Sequence, residues 1–173
     1  VALTAAMIAH HGEDATRGWL EGLKANLARK PDGGDRDQVK AIAAGQCDIA
    51  IGNTYYIGQM LTDPEQMAAA ETVRILFPTF EGDGTHVNVS GVAMTKSAPN
   101  HENALKLMEW LSSDEAQRIY AESNHEYPVK PGVPLSPMVA GWGSFAPDSK
   151  SLTEIAALRP AALKLVEEVD FDG

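Results

Sequence analysis

The sequence predicts an α/β fold, a mainly parallel sheet flanked by helices. Three observations carry this expectation. Segments with apolar residues at helical spacing alternate with short apolar runs bounded by turn residues. Those runs are continuous, as expected for strands buried on both faces. The chain has 173 residues, 44% of them hydrophobic, enough for a substantial core in one domain or in parts of two. In such sheets ligands bind in the crevice outside the carboxyl ends of the strands, so residues just after an apolar run become site candidates.

The opening "VALTAAMIAHHGE" lacks Met and a charged n-region and reads as the middle or end of an amphipathic helix running to Gly12, so residue 1 is expected to be an internal cut point. "EDATRGWLEGLKANLARK" puts Trp19, Leu20, Leu23 and Leu27 on one stripe, acidic at its start and basic at its end, which suits a helix. "PDGGD" is a turn, and "DRDQVKAIAAG" a short helix with Val39, Ile42 and Ala43 inward and Gly45 as its C-terminal cap. "CDIAIGN" is a buried strand and "VRILFP" a second one; after a glycine-containing loop, Val87, Val89 and Val92 mark a third. A helix from Thr54 breaks near Pro64 and resumes in the Ala-rich part. Asn100 and Glu102 open the helix "ALKLMEWLSS", and Ser113 caps the next. The stretch from His125 to Ser151 is Pro- and Gly-rich and reads as irregular, and the closing helix should kink or split at Pro160. Trp19, Trp110 and Leu111 are assigned to the core, Tyr120 and Tyr127 to packing, and Cys47 to a buried apolar position.

The formal charge of −10 comes from acidic residues spread along the chain, with no basic stripe, so nucleic acid is excluded as a partner. No apolar run reaches the ~18 to 20 residues of a transmembrane helix, so membrane association would have to come through a partner. One cysteine forms no internal disulfide and makes a cysteine-based zinc site implausible.

Tyr55 and Tyr56 stand side by side directly after "CDIAIGN". In the first turn of a helix they would diverge by about 100° and line one crevice without stacking, where the positive helix terminus favours phenolate. Two adjacent phenolates suit a hard, oxygen-preferring trivalent cation such as ferric iron. One buried ring beside one surface ring is the alternative that local sequence leaves open. Acid–base use has little support: Met60 stands where a Tyr-x-x-x-Lys motif needs lysine, and no glycine fingerprint precedes the pair.

At "GGDRDQVKAIAAGQCDIAIGNTYYIGQML", and again through "GDGTHVNVSGVAMTKSAPNHENALKLMEWLSSDEAQRIYAESNHEYPVKPGV", the chain resembles the periplasmic ferric-iron-binding proteins of ABC transporters, which have the type 2 periplasmic binding fold. The resemblance implies that Tyr55 and Tyr56 are Fe³⁺ ligands and that Asn53 helps hold a synergistic anion. It also implies delivery to an ABC permease in the inner membrane, a periplasmic location and no catalytic residue. Relatives are about twice as long. Residues 1–85 and 137–173 would then form the second lobe, and 86–136 would cross back to a first lobe otherwise absent here, leaving the chain either to associate with that N-terminal lobe or a second copy of itself, or to expose apolar surface. Binding of an organic solute such as a polyamine or thiamine is the alternative.

Arg36, in the Gly-Gly-Asp-Arg-Asp turn, would approach the same cleft edge and offset phenolate charge; a surface ion pair with Asp35 or Asp37 competes with that reading. His10 and His11 read as a solvated pair at a helix end. His86, His101 and His125 have no ligand spacing, so none is assigned to iron.

Overall fold

The computed structural model describes residues 1–172, which divide into two compact units. The first comprises Val1–Asp32, Leu76–Asn88 and Phe145–Gly173, apart from the undescribed last residue. The second comprises Gly33–Ile75 and Val89–Ser144.

The first unit is built on α1 (Ala2–Ala25), α8 (Leu152–Ala157) and α9 (Arg159–Glu168). Helix α1 is broken where the sequence placed its break. Gly12 has φ 79°, ψ 170°, and Thr16 Oγ1 donates to the carbonyl it frees at 2.7 Å. The left-handed φ is open to glycine at little cost. Ala5, Ala6, Ile8 and Leu20 of α1 pack with Ile155, Ala162 and Leu165 into one core, with Trp19 half-buried beside them. Helices α8 and α9 are split at Leu158, with Pro160 in the first turn of α9, where its missing N–H costs nothing.

The second unit carries α2 (Asp35–Ala43), α3 (Tyr55–Leu61) and α4 (Met67–Ala70), which share a core of Val39, Met60 and Ala70. Helix α2 ends as expected: Gly45 at φ 70° donates to Ile42 O, and Gln46 N to Ala41 O, both at 2.9 Å, the paired bonds of a Schellman cap. Ala41, not Ala43, is buried beside Val39. In α5 (His101–Leu111) no residue is buried. Ser113 caps α6 (Asp114–Ile119) by accepting from Ala116 N at 3.2 Å. A π-helical turn, Tyr120–Asn124, follows and ends at His125 in the left-handed region, φ 59°. A short helix, α7 (Pro137–Gly141), lies in the stretch expected to be irregular. Its signal was the Ser136-Pro137 pair, an N-cap followed by proline at the first helical position.

The three expected strands form no ladder among the described residues. "CDIAIGN" and "VRILFP" have no regular secondary structure, and the bridges found among the described residues are isolated ones, Thr79 with Thr85 and Thr85 with Pro147. Several of their apolar side chains are exposed, Ile49 at 77% and Leu76 at 76%, while Val73, Ile75 and Phe77 are half-buried. An apolar run records that a segment has faces to bury, but a strand needs hydrogen-bonding neighbours at about 4.8 Å, and the run does not name them. The same reason corrects Trp110, 42% exposed rather than core, and Leu111, which is half-buried. Cys47 is half-buried instead of buried, and Leu27 is exposed. No helix among the described residues is long and apolar enough to cross a membrane.

Candidate metal centre

Tyr55 and Tyr56 occupy the first turn of α3, both half-buried. Their ring centroids are 4.3 Å apart at an interplanar angle of 34°. The expected separation of the two phenols is therefore corrected: they lean together. The Tyr56 hydroxyl is the main reason that the Tyr55 phenol is pushed up to about 12, with partial burial and the charges of Asp35 and Glu126 adding to it. The helix terminus was expected to favour phenolate, but a phenol hydrogen-bonded to a second phenol and facing carboxylates keeps its proton.

Two carboxylates of this neighbourhood carried no signal in the tyrosine motif. Asp35, at the start of α2, accepts from Asn53 N at 2.7 Å and from the Asn53 side-chain amide at 3.4 Å, fastening the turn that leads into α3. A Cβ at Gly52 would lie 3.0 Å from Asp35 Oδ1, so the turn passes close to that carboxylate. Asn53 is thus engaged with Asp35 in this arrangement. Arg36 lies over the Tyr56 ring, its guanidinium carbon 5.6 Å from the centroid, and it donates to Gln59 Oε1. That places it beside the tyrosine pair, a guanidinium cation over the Tyr56 π-face.

Helix α3 is seated by close packing at Gly58. A Cβ at Gly58 would lie 2.4 Å from the His125 ring, so glycine is required there. His125 is buried and its imidazole pKa is lowered by desolvation, which keeps it an uncharged packing group. His10 corrects the solvated-pair expectation. Its Nε2 is 2.9 Å from Asp148 Oδ1, and its ring stacks on Phe80 at 3.9 Å, whereas His11 is exposed.

Residues 4–147 match the family described as bacterial extracellular solute-binding protein. The chain belongs to that family. It is 44% identical over 98% of its length to iron uptake protein A1 of Synechocystis, covering 48% of that protein. It is 32% identical to the major ferric iron-binding protein of Neisseria meningitidis serogroup B, over 74% of this chain and 38% of that one. Among solved structures, the apo ferric ion-binding protein A of Pasteurella haemolytica superposes with a TM-score of 0.96 at 57% identity, over 99% of this chain and 54% of that one. The Trichodesmium IdiA (FutA) protein in complex with iron and citrate ligands gives 0.90 at 42% identity, over 98% and 54%. The chain therefore has the type 2 periplasmic binding fold of these proteins and spans about half the length of the relatives it matches.

Proposed function

We propose that the protein containing this chain is the solute-binding component of an ABC importer, which captures Fe³⁺ in the periplasm through the phenolates of Tyr55 and Tyr56 and hands it to an inner-membrane permease. The observation that carries this reading is the tyrosine pair on the first turn of α3, in a chain whose named relatives bind or take up ferric iron. Arg36 offsets phenolate charge, and Asn53 helps hold a synergistic anion once iron is present. The iron-and-citrate complex of the Trichodesmium relative supports such an anion. Iron is cargo, so the protein performs no covalent chemistry, and no residue is assigned a catalytic role.

We assign residues 1–85 and 137–173 to the second lobe and 86–136 to the first. The coverage of about half of each relative supports a missing N-terminal lobe, whose place a second copy would otherwise take. Two phenolates fill two of the roughly six positions of a hard cation's shell, so the isolated chain binds iron weakly. The alternative of a polyamine or thiamine ligand gains no support from relatives named for iron.

Ferric titration of the full-length protein tests the proposal. A visible phenolate-to-iron charge-transfer band that disappears in Tyr55→Phe and Tyr56→Phe is the expected result, and a colourless iron-saturated wild type would sink it.

A further inference from the structure

The first unit holds a second group of metal-ligating side chains that shares no residue with the tyrosine pair. His10, Asp83 and Asp148 each offer one ligand atom, and the three lie within 4.8 Å of one another. They come from α1, from the loop after Phe80 and from the segment leading into α8. Backbone bonds hold the two loops together: Thr85 N donates to Ala146 O and Asp148 N to Thr85 O, both at 2.8 Å. Asp83 accepts from Gly84 N at 2.7 Å and from Ser149 N at 2.8 Å, with the Ser149 hydroxyl on its other oxygen. His10 is held by its stack on Phe80.

The Asp148 side chain is 2% exposed, and its Oδ1 accepts from Lys150 N at 3.0 Å while facing His10. Its Oδ2 is buried without any hydrogen-bond partner. Leaving a charged oxygen buried and unpaired is costly, so such an atom calls for a partner. Both ring nitrogens of His86 are likewise buried without a partner, and the Asp148 charge acts on that ring.

We propose that a ring nitrogen of His10 and the carboxylates of Asp83 and Asp148 bind a divalent first-row transition cation. One imidazole and two carboxylates are a nitrogen and oxygen donor set that suits Zn²⁺ and its neighbours, with bonds of ~2.0–2.2 Å. Neighbouring ligands in a tetrahedral shell stand roughly 3.4 Å apart, so a small turn of a carboxylate closes the set. The cation takes the place of the direct His10–Asp148 contact and gives Asp148 Oδ2 its missing partner. It also ties together three segments far apart in sequence.

Equilibrium dialysis of the iron-free full chain against Zn²⁺, followed by metal analysis, tests the site. One equivalent should be retained, with affinity at least ~100-fold weaker in Asp148→Asn and His10→Gln, since losing a ligand should cost no less than the ~10–100-fold lost with an outer-shell partner. The double variant Tyr55→Phe, Tyr56→Phe should bind as wild type does, so loss of the iron reading would leave this one standing. Should either carboxylate or imidazole variant fail to fold, ¹⁵N NMR of the wild-type imidazoles decides: Zn²⁺ should shift His10 and leave His101 unmoved. No retained zinc, retention indifferent to both variants, or shifts confined to other histidines would overturn the proposal and leave His10 and Asp148 as a structural pair only.

Discussion

Helices α1 and α5 are both amphipathic, yet α1 buries six residues and α5 buries none. Along α1 the apolar stripe meets α8 and α9, and Leu20 packs with Ile155 and Leu165. Along α5 the stripe of Ala104, Met108 and Leu111 is only half-buried, and Leu105, Leu107 and Trp110 stay exposed. Periodicity declares that a helix has a face to cover. Whether anything covers it is a property of the rest of the fold. The exposed Ile49, Ile51, Val89 and Val92 tell the same story for extended segments, and together they agree with a chain that spans about half of its relatives.

The comparison can be broken most forcefully on the covered side. Leu165→Ala should destabilise the chain by about 2–5 kcal/mol in denaturant titration, because it empties a core position with little room to collapse. A loss under about 1 kcal/mol would mean that the first unit is loosely packed. Next in size, Gly58→Ala drives a methyl group into the His125 ring and should cost about 1–3 kcal/mol. It should also weaken the ferric band of the full-length protein, since α3 carries both tyrosines. Removing a cap is milder. Ser113→Ala should cost about 1 kcal/mol, read from the thermal midpoint. On the uncovered side, Leu107→Gln should change the stability of this chain by no more than about 0.5 kcal/mol. A cost above 1.5 kcal/mol would reveal a partner for α5 in solution, which size-exclusion chromatography would then identify as a second copy or not.

The tyrosine pair gives a fifth outcome, in pH rather than in stability. The Tyr55 phenol, pushed up to about 12, holds its proton more tightly folded than unfolded, where the value is about 10. Its stabilising contribution is therefore present below pH ~10 and lost as pH rises through 12. Iron must displace that proton, so ferric affinity of the full-length protein should fall as pH falls. Tyr56→Phe removes the phenol chiefly responsible, and absorbance titration at alkaline pH should find Tyr55 moved back down. An unmoved Tyr55 would locate the cause in its partial burial and in the Asp35 and Glu126 charges.

Much of the local structure was legible in the residues alone. The break at Gly12, the cap at Gly45, the interruption near Pro64, the Ser113 cap and the split before Pro160 all stand where turn and cap chemistry put them. So does the tyrosine pair at a helix start. Each of these is decided by hydrogen bonds and dihedral preferences acting over a few residues, and such information is written contiguously. Tertiary structure decided the remainder. It joined His10 to Asp148 across 138 positions, seated Gly58 on His125, set Asp35 against the Asn53 turn and raised the Tyr55 phenol where the helix end alone would have lowered it. It also gave the predicted strands no ladder among the described residues. Long-range contacts depend on which surfaces meet, and a ladder or a buried carboxylate acquires its partner from a segment that no local pattern names.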